Sequence, residues 1–278
     1  MSQVLPSDFA MHPFLVDSGV DGAGKAVVSR FPSVRLVHAG AGVYWCSGMH
    51  LAWEMAAKYD FDFYMWLNVD TMLLPGSVKV LLGVAQEGDQ QDSIVVGSCR
   101  DPKTMQHTYG GYRIPNMRRP LEKVPVIPGD TASPCETMNG NIVLVPRYCY
   151  QRVRNFDNKY IHSFGDIDYG MIASKLGCSI LVAPGYQGEV PRNPLPQWAD
   201  PEASSLQRLA SLHSPKGLPP CEYVHFLRSH GVLLWPLHLL KLYMRVLFPA
   251  GCEWLRNAIG RGSHWPPERR SAAEKEKR

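Results

Sequence analysis

Residues 61–70, FDFYMWLNVD, do most to limit what this chain can fold into. Phe61, Phe63, Met65 and Leu67 alternate with Asp62, Tyr64 and Trp66, so the period is two and the segment reads as a strand. It runs directly into Asn68-Val69-Asp70-Thr71. The following stretch, LPGSVKVLLGVAQ, reads as a helix, with Pro75 suited to its first turn. A strand feeding a helix through a short polar turn is the unit of α/β layers.

The rest of the chain repeats that unit. Phe14–Asp17 is an apolar run ending in an acid, followed by Gly19, Gly22 and Gly24, a buried strand and a turn-rich loop. Lys25–Arg30 reads as a short helix and Val34–His38 as the next strand. SGMHLAWEMAAKYD reads as a helix with Ser47 as its N-cap. Ile94–Ser98 is strand-like. Residues 99–137 are polar, proline-rich and without period, and loops this long inside a domain are functional or mobile. Asn141–Pro146 reads as a strand, Arg147–Arg154 as a helix, and Asp166–Leu176 as a helix with acids in its first turn and Gly177 as its stop. Ser179–Ala183 is the last strand. The alternation predicts an α/β fold, a Rossmann-type, mostly parallel sheet flanked by helices. Ligands of such sheets bind beyond the carboxyl ends of the strands, where Asp17 and Asp70 both fall.

Composition narrows the class. With 278 residues, 45% hydrophobic and 19% charged, the chain is long enough and apolar enough to bury a core. A net charge of +4, with acids interleaved among the bases, argues against nucleic acid as a partner. The cysteines are seven, scattered and without a CxxC pair, which argues against a disulfide framework and for a reducing, cytoplasmic setting. No charged stretch followed by an apolar run opens the chain, so no signal peptide is expected.

The acids of YIHSFGDIDYG, residues 160–170, leave three readings open: metal ligands, a catalytic base, or the acidic start of a helix. At about 100° per residue, Asp166 and Asp168 point about 200° apart on a helix, so both do not face one cleft. Asp70 reads either as a metal ligand or as a cap of the helix behind it. Domain boundaries follow composition: an α/β layer over 1–190, a proline- and serine-rich linker over 191–220, an amphipathic helical extension over 221–260 and a charged tail over 261–278. Within the extension, VLLWPLHLLKLYMRVLF (232–248) is strongly apolar. Pro236, His238, Lys241 and Arg245 interrupt it, too often for a membrane span. It suits a helix lying in a membrane interface, or one packed on the protein.

The ordered segments VDSGVDG, FPSVRLVHAGAGVYWCSGMHLAW, FDFYMWLNVDTMLLPGSV, TYGGYR, NGNIVLVPR and IHSFGDIDYGMIASKLG together resemble the family 2 glycosyltransferases. These have the GT-A fold, and bacterial enzymes of surface-polysaccharide synthesis, including rhamnosyltransferases, typify them. The resemblance spans roughly residues 14–190. It implies an inverting transfer from a nucleotide-sugar donor to a glycan or lipid-linked hydroxyl acceptor, at the inner face of the membrane. It implies Asp166 as general base and Asp70 as ligand of a divalent metal, Mn²⁺ or Mg²⁺, whose hard oxygen chemistry suits a diphosphate. Asp17, Trp45, Gly48 and Asn68 match donor-side positions, and Asn139, Gly140, His162 and Asp168 match acceptor-side ones. Each keeps a plainer reading beside this one: Asp17 a turn residue, Trp45 packing, His162 a loop histidine, Asp168 a helix-dipole acid. The chain departs from the family pattern in two places. The first strand–helix unit is expected to be missing, since MSQVLPSDFAMHP reads as no strand, and Val69 stands where relatives carry an acid. An alternative is therefore an inactive relative that binds a membrane or partner. A nucleotidyltransferase would need a basic phosphate loop, which Gly22-Ala23-Gly24-Lys25 matches only in part.

Overall fold

The computed structural model describes residues 8–19, 21–87 and 93–251. They divide into two units. The first holds the described residues up to Arg113 together with Val124–Pro194, and the second holds Ile114–Lys123 and the described residues from Leu195 onward.

In the first unit, β1 (Phe14–Asp17), α1 (Ala23–Arg30) and β2 (Arg35–His38) form a small layer, with β1 and β2 parallel. Helix α2 (Trp45–Ala56) follows. It begins two residues before Ser47 and is capped by extended Tyr44, so Ser47 is not its N-cap. The Ser47 hydroxyl instead donates to the Ile161 carbonyl at 3.4 Å. Next come β3 (Phe63–Leu67), β4 (Met72–Leu73) and α3 (Ser77–Gln86). Pro75 lies before that helix, whose cap is Gly76 at φ 81°, a left-handed conformation that glycine adopts without strain.

The chain continues with β5 (Ser93–Arg100), β6 (His107–Tyr109), β7 (Gly111–Arg113), β8 (Val124–Pro125), β9 (Ser133–Pro134), β10 (Thr137–Met138) and β11 (Ile142–Pro146), of which β7, β8 and β10 form a separate three-stranded sheet. Residues 99–137, expected as loop, thus carry the end of β5, four short strands and the start of β10. Strands of two or three residues are too short to show a period. Helices α4 (Arg147–Val153) and α5 (Gly165–Lys175) precede β12 (Ser179–Glu189), which runs past its expected end through two irregularities in register.

The α/β layering is as expected, but the sheet is not mostly parallel. Its order is β3-β11-β5-β12-β4, and only β5–β12 pair in parallel there. β11 lies antiparallel between β3 and β5. The reason lies in the connection. Parallel neighbours need a long crossover, usually helical. The chain from β5 to β11 passes through short strands and no described helix, and re-enters from the opposite end.

Both faces of this sheet are covered. Tyr64 and Trp66 of β3 join Trp53, Phe156 and Tyr169 in one cluster, while Phe63 and Met65 pack on a second built on α3. The period of two in FYMWL therefore sorts residues between two cores rather than between core and solvent.

The second unit also departs from expectation. The expected linker, residues 191–220, contains a short 3-10 turn at Gln197–Ala199 and helix α6 (Ser205–His213). Ser204 and Gln207 form a reciprocal capping box, which stabilises the start of α6. Helices α7 (Pro220–Ser229) and α8 (Trp235–Leu247) complete the unit. Arg208 is buried, and its guanidinium donates to the carbonyls of Val246, Pro201 and Ala203, so the buried charge is fully engaged. The expected tail, 261–278, and the end of the helical extension lie outside the described residues. Among the described residues, no helix is long and apolar enough to cross a membrane.

Candidate active site

The site begins where β3 ends. The Asn68 backbone N–H donates to the Asn141 carbonyl at 3.1 Å, carrying the β3–β11 ladder one step beyond both strands. This brings the Asn68 and Asn141 side chains together. Asn68 Nδ2 donates to Asn141 Oδ1, and Asn68 Oδ1 accepts from the indole Nε1 of Trp45 in the first turn of α2. Thr71 Oγ1 donates to the same Asn141 oxygen at 3.3 Å.

From Asn141 the network passes to α5. The Asn141 backbone N–H donates to Asn139 Oδ1 at 3.2 Å, and Asn139 Nδ2 donates to Asp166 Oδ2 at 3.2 Å. The Gly140 N–H donates to the same carboxylate oxygen at 2.9 Å. Asp166 is half-buried in the first turn of α5, where helix amides also favour negative charge. Two aimed N–H donors suit an ionised carboxylate, which can only accept. Trp45, Asn68, Asn139, Gly140 and Asp166, far apart in sequence, are thus joined by contact.

Gly140 is required by packing. A Cβ there would overlap the Trp45 indole, a rigid ring with little room to yield. Gly140→Ala is expected to lower stability by about 1–3 kcal/mol through overpacking, and to break the Trp45–Asn68 bond. Gly129→Ala, where a Cβ meets nothing within 4 Å, should change stability by less than about 0.5 kcal/mol. Denaturant titrations read by tryptophan fluorescence compare the two.

The segment before α5 is tied to α2. The Cys46 thiol donates to the His162 carbonyl at 3.2 Å, and the Ser47 N–H to that of Ile161 at 3.2 Å. Phe164, which caps α5, sits at φ 70°, a sparsely populated conformation for a side-chain-bearing residue, and its ring is buried. His162 lies edge-on to Tyr44 at 6.0 Å between ring centroids, beside the network rather than within it.

Asp168 is only 3% exposed and accepts a hydrogen bond from the Tyr160 hydroxyl at 3.1 Å. Burial first, then the charge of Asp168, pushes that phenol well above its ordinary range.

Asp70 stands exposed in the turn after Asn68, with no hydrogen bond or ion pair to its side chain among the described residues. Its neighbours are Cys99, a thiol pushed up to about 12 by burial and then by the Asp70 charge, and Tyr109, raised chiefly by burial with a smaller push from Asp70. Among the described residues, no three His, Cys, Asp or Glu side chains are gathered to hold an ion.

Asp17 and Gly48 lie elsewhere in the first unit. Asp17 accepts from the N–H groups of Gly19 at 2.9 Å and Gly24 at 3.0 Å, which fastens the loop to the start of α1. A Cβ at Gly48 would meet Val43 and Val16 only at ordinary contact distance, where α2 packs on β1. No hydrogen bond given for Asp17 joins it to the Asp166 network.

Two residues escaped the sequence reading. Asn141 is the hub of the network, and its signal was the Asn-Gly-Asn run before a strand. Arg192 is exposed, and its charge lowers the proton affinity of both Tyr109 and Tyr112. Those phenols also feel Asp70 and Asp166 respectively. Nothing in the local sequence PRNP marked it.

No family model matches the chain. The sequence is similar to the N-acetylglucosaminyl-diphospho-decaprenol L-rhamnosyltransferase of Mycobacterium tuberculosis, in two strains. In each, 25% of 187 residues are identical, covering 59% of this chain and 61% of the relative. The chain thus spans less than two thirds of the length of these curated relatives. Among solved structures, GalNAc-T7 with UDP, GalNAc and Mn²⁺ aligns with a TM-score of 0.45 and 10% identity, over 89% of this chain and 50% of the other. The mannosyltransferase PcManGT from Pyrobaculum calidifontis, in complex with GDP-Man and Mn²⁺, aligns at 0.46 and 14%, over 90% and 66%. At these scores the likeness to solved structures carries no argument.

Proposed function

We propose that the chain is an inverting glycosyltransferase of the family 2, GT-A type, moving a sugar from a nucleotide-sugar to a hydroxyl of a glycan or lipid-linked acceptor in surface-polysaccharide synthesis. The observation that carries this reading is the single hydrogen-bonded network that joins Asp166 to Trp45, Asn68, Asn139 and Gly140. The rhamnosyltransferase likeness supports the reaction class.

In this reading Asp166 takes the proton of the acceptor hydroxyl as that oxygen attacks the anomeric carbon. The new carbon–oxygen bond forms opposite the breaking bond to phosphate, so the configuration inverts and the nucleoside diphosphate leaves with the bonding electron pair. Asn139 and the Gly140 amide aim the carboxylate. Trp45 and Asn68 wall the donor side. Asp70, with phosphate oxygens, would hold a divalent cation, which neutralises charge on the leaving group when bound. Arg192 would assist that neutralisation. Asp17 is assigned to the donor nucleoside, and His162 to the edge of the acceptor pocket. The catalytic layer is residues 1–190, acting at the inner membrane surface.

Calorimetry tests the reading with uridine, guanosine and thymidine diphosphates, with and without Mn²⁺. One diphosphate is expected to bind with Mn²⁺, and Mn²⁺ alone to give no heat. Asp70→Asn should weaken the metal-dependent binding by more than about tenfold. No binding of any of the three with Mn²⁺ would favour the inactive relative instead.

A further inference from the structure

Helix α8 is apolar on two sides. Leu242 and Val246 are buried, and the helix packs on α6 and α7. At about 100° per residue, Leu237, Leu240 and Met244 fall on one face of α8 turned away from those two, and Leu233 and Phe248 lie just beyond its two ends. All five are exposed, Leu233 at 89% and Leu237 at 59%. A contiguous exposed apolar stripe marks an interaction surface.

Charge says what covers it. From Tyr223 to Cys252 the sequence holds no Asp or Glu, but it holds Arg228, Lys241 and Arg245. Lys241 lies on the stripe and Arg245 beside it, with His238 on the same flank. The segment Ile114–Lys123 of the same unit adds Arg118 and Arg119, and the only acid there is Glu122, paired with Arg119 at 3.4 Å. Burial first, then the nearby charges of Lys241 and Arg119, hold the His238 imidazole below its ordinary range. An apolar stripe with a basic flank matches the acyl boundary and acidic headgroups of a bilayer. A second copy of this chain matches poorly, because a two-fold contact through the stripe brings Lys241 and Arg245 of both copies together.

We propose that the exposed face of α8 docks on an anionic lipid surface, with Leu233, Leu237, Leu240, Met244 and Phe248 in the acyl boundary and Lys241 and Arg245 on the headgroups. Since α8 is too short to cross, this is a seat on one leaflet. The inference stands apart from the transfer reaction, and its test reads lipid binding alone.

The full chain is sedimented with vesicles of phosphatidylcholine, and of phosphatidylcholine with phosphatidylglycerol. Binding is expected to be at least about tenfold stronger to the vesicles with phosphatidylglycerol. L237E/L240E, at exposed positions, should leave the melting temperature unchanged and lower that binding by more than about tenfold. K241Q/R245Q should lower it by about fivefold per cation and leave binding to phosphatidylcholine alone unaltered. Equal binding by L237E/L240E and the parent chain would overturn the proposal. So would a dimer, seen by light scattering, that L237E/L240E dissolves without any vesicle binding.

Discussion

Asp166→Asn is expected to lower the rate of sugar transfer by about a thousandfold, within the span of general-base effects. The substitution keeps the size of the side chain and an oxygen that accepts from the Gly140 amide, so the surrounding network stays closed. What is lost is the capacity to take a proton. Binding of donor diphosphate with Mn²⁺ should therefore stay within about twofold of the parent, since the base contributes to the transition state and not to donor affinity. Single-turnover transfer rates and diphosphate calorimetry, measured on the same preparation, separate the two effects. Transfer at the parent rate in Asp166→Asn would remove this residue from the chemistry. The Asn139 amide would then be its structural partner and nothing more.

Trp53→Ala is expected to cost about 3–5 kcal/mol of stability, a large part of what holds a domain folded. The Trp53 ring is 4% exposed and sits within 5.1–5.8 Å, between centroids, of Tyr64, Trp66, Tyr150, Phe156 and Tyr169. Those rings belong to β3, α4, α5 and the loop between the two helices, and Trp53 itself to α2. No neighbour is small enough to close the cavity. The effect reaches the site because α2 carries Trp45, β3 leads to Asn68, and α5 carries Asp166. Trp53→Phe should cost less, since it keeps an aromatic ring and removes an indole N–H that has no hydrogen-bond partner. Urea midpoints at unchanged slope read both variants. A cost below about 1 kcal/mol for the alanine variant would mean that the cluster is not what holds these elements together.

Much of the first unit was legible because its signals are local. The period of two in FYMWL, the apolar run Phe14–Asp17 and the stop at Gly177, with φ 83°, follow from backbone sterics and burial within a few residues. Helix starts were read less well. Ser47 is a good cap by type, but the helix starts at Trp45, whose indole nitrogen has a partner 23 residues away. Residues 191–220 were misread for a similar reason. Prolines and serines suit a linker, yet Ser204 and Gln207 cap α6, and Leu212 of α6 is buried.

The separation of Asp166 from Asp168 needed only helix geometry, because two residues on a helix always diverge by the same angle. Which of the two meets the Asn-Gly-Asn turn was not in that geometry. It depends on the packing of α5 against β10, where Gly170 lies so close to Thr137 that a Cβ would clash.

By itself, then, the sequence determined the longer strands and helices of the first unit, and which acids sit at strand ends or in a first helical turn. These outcomes rest on dihedral limits, capping and hydrophobic period, all short-range. Only the tertiary structure decided that β11 runs antiparallel between β3 and β5, so that Asn141 faces Asn68. It also decided that Asp168 is buried on Tyr160 and that α8 turns one apolar face inward and another outward. Each of these depends on contacts between residues distant in the chain, and local preference leaves several such arrangements equally allowed. Burial of the aromatic cores and pairing of the amides between strands select among them.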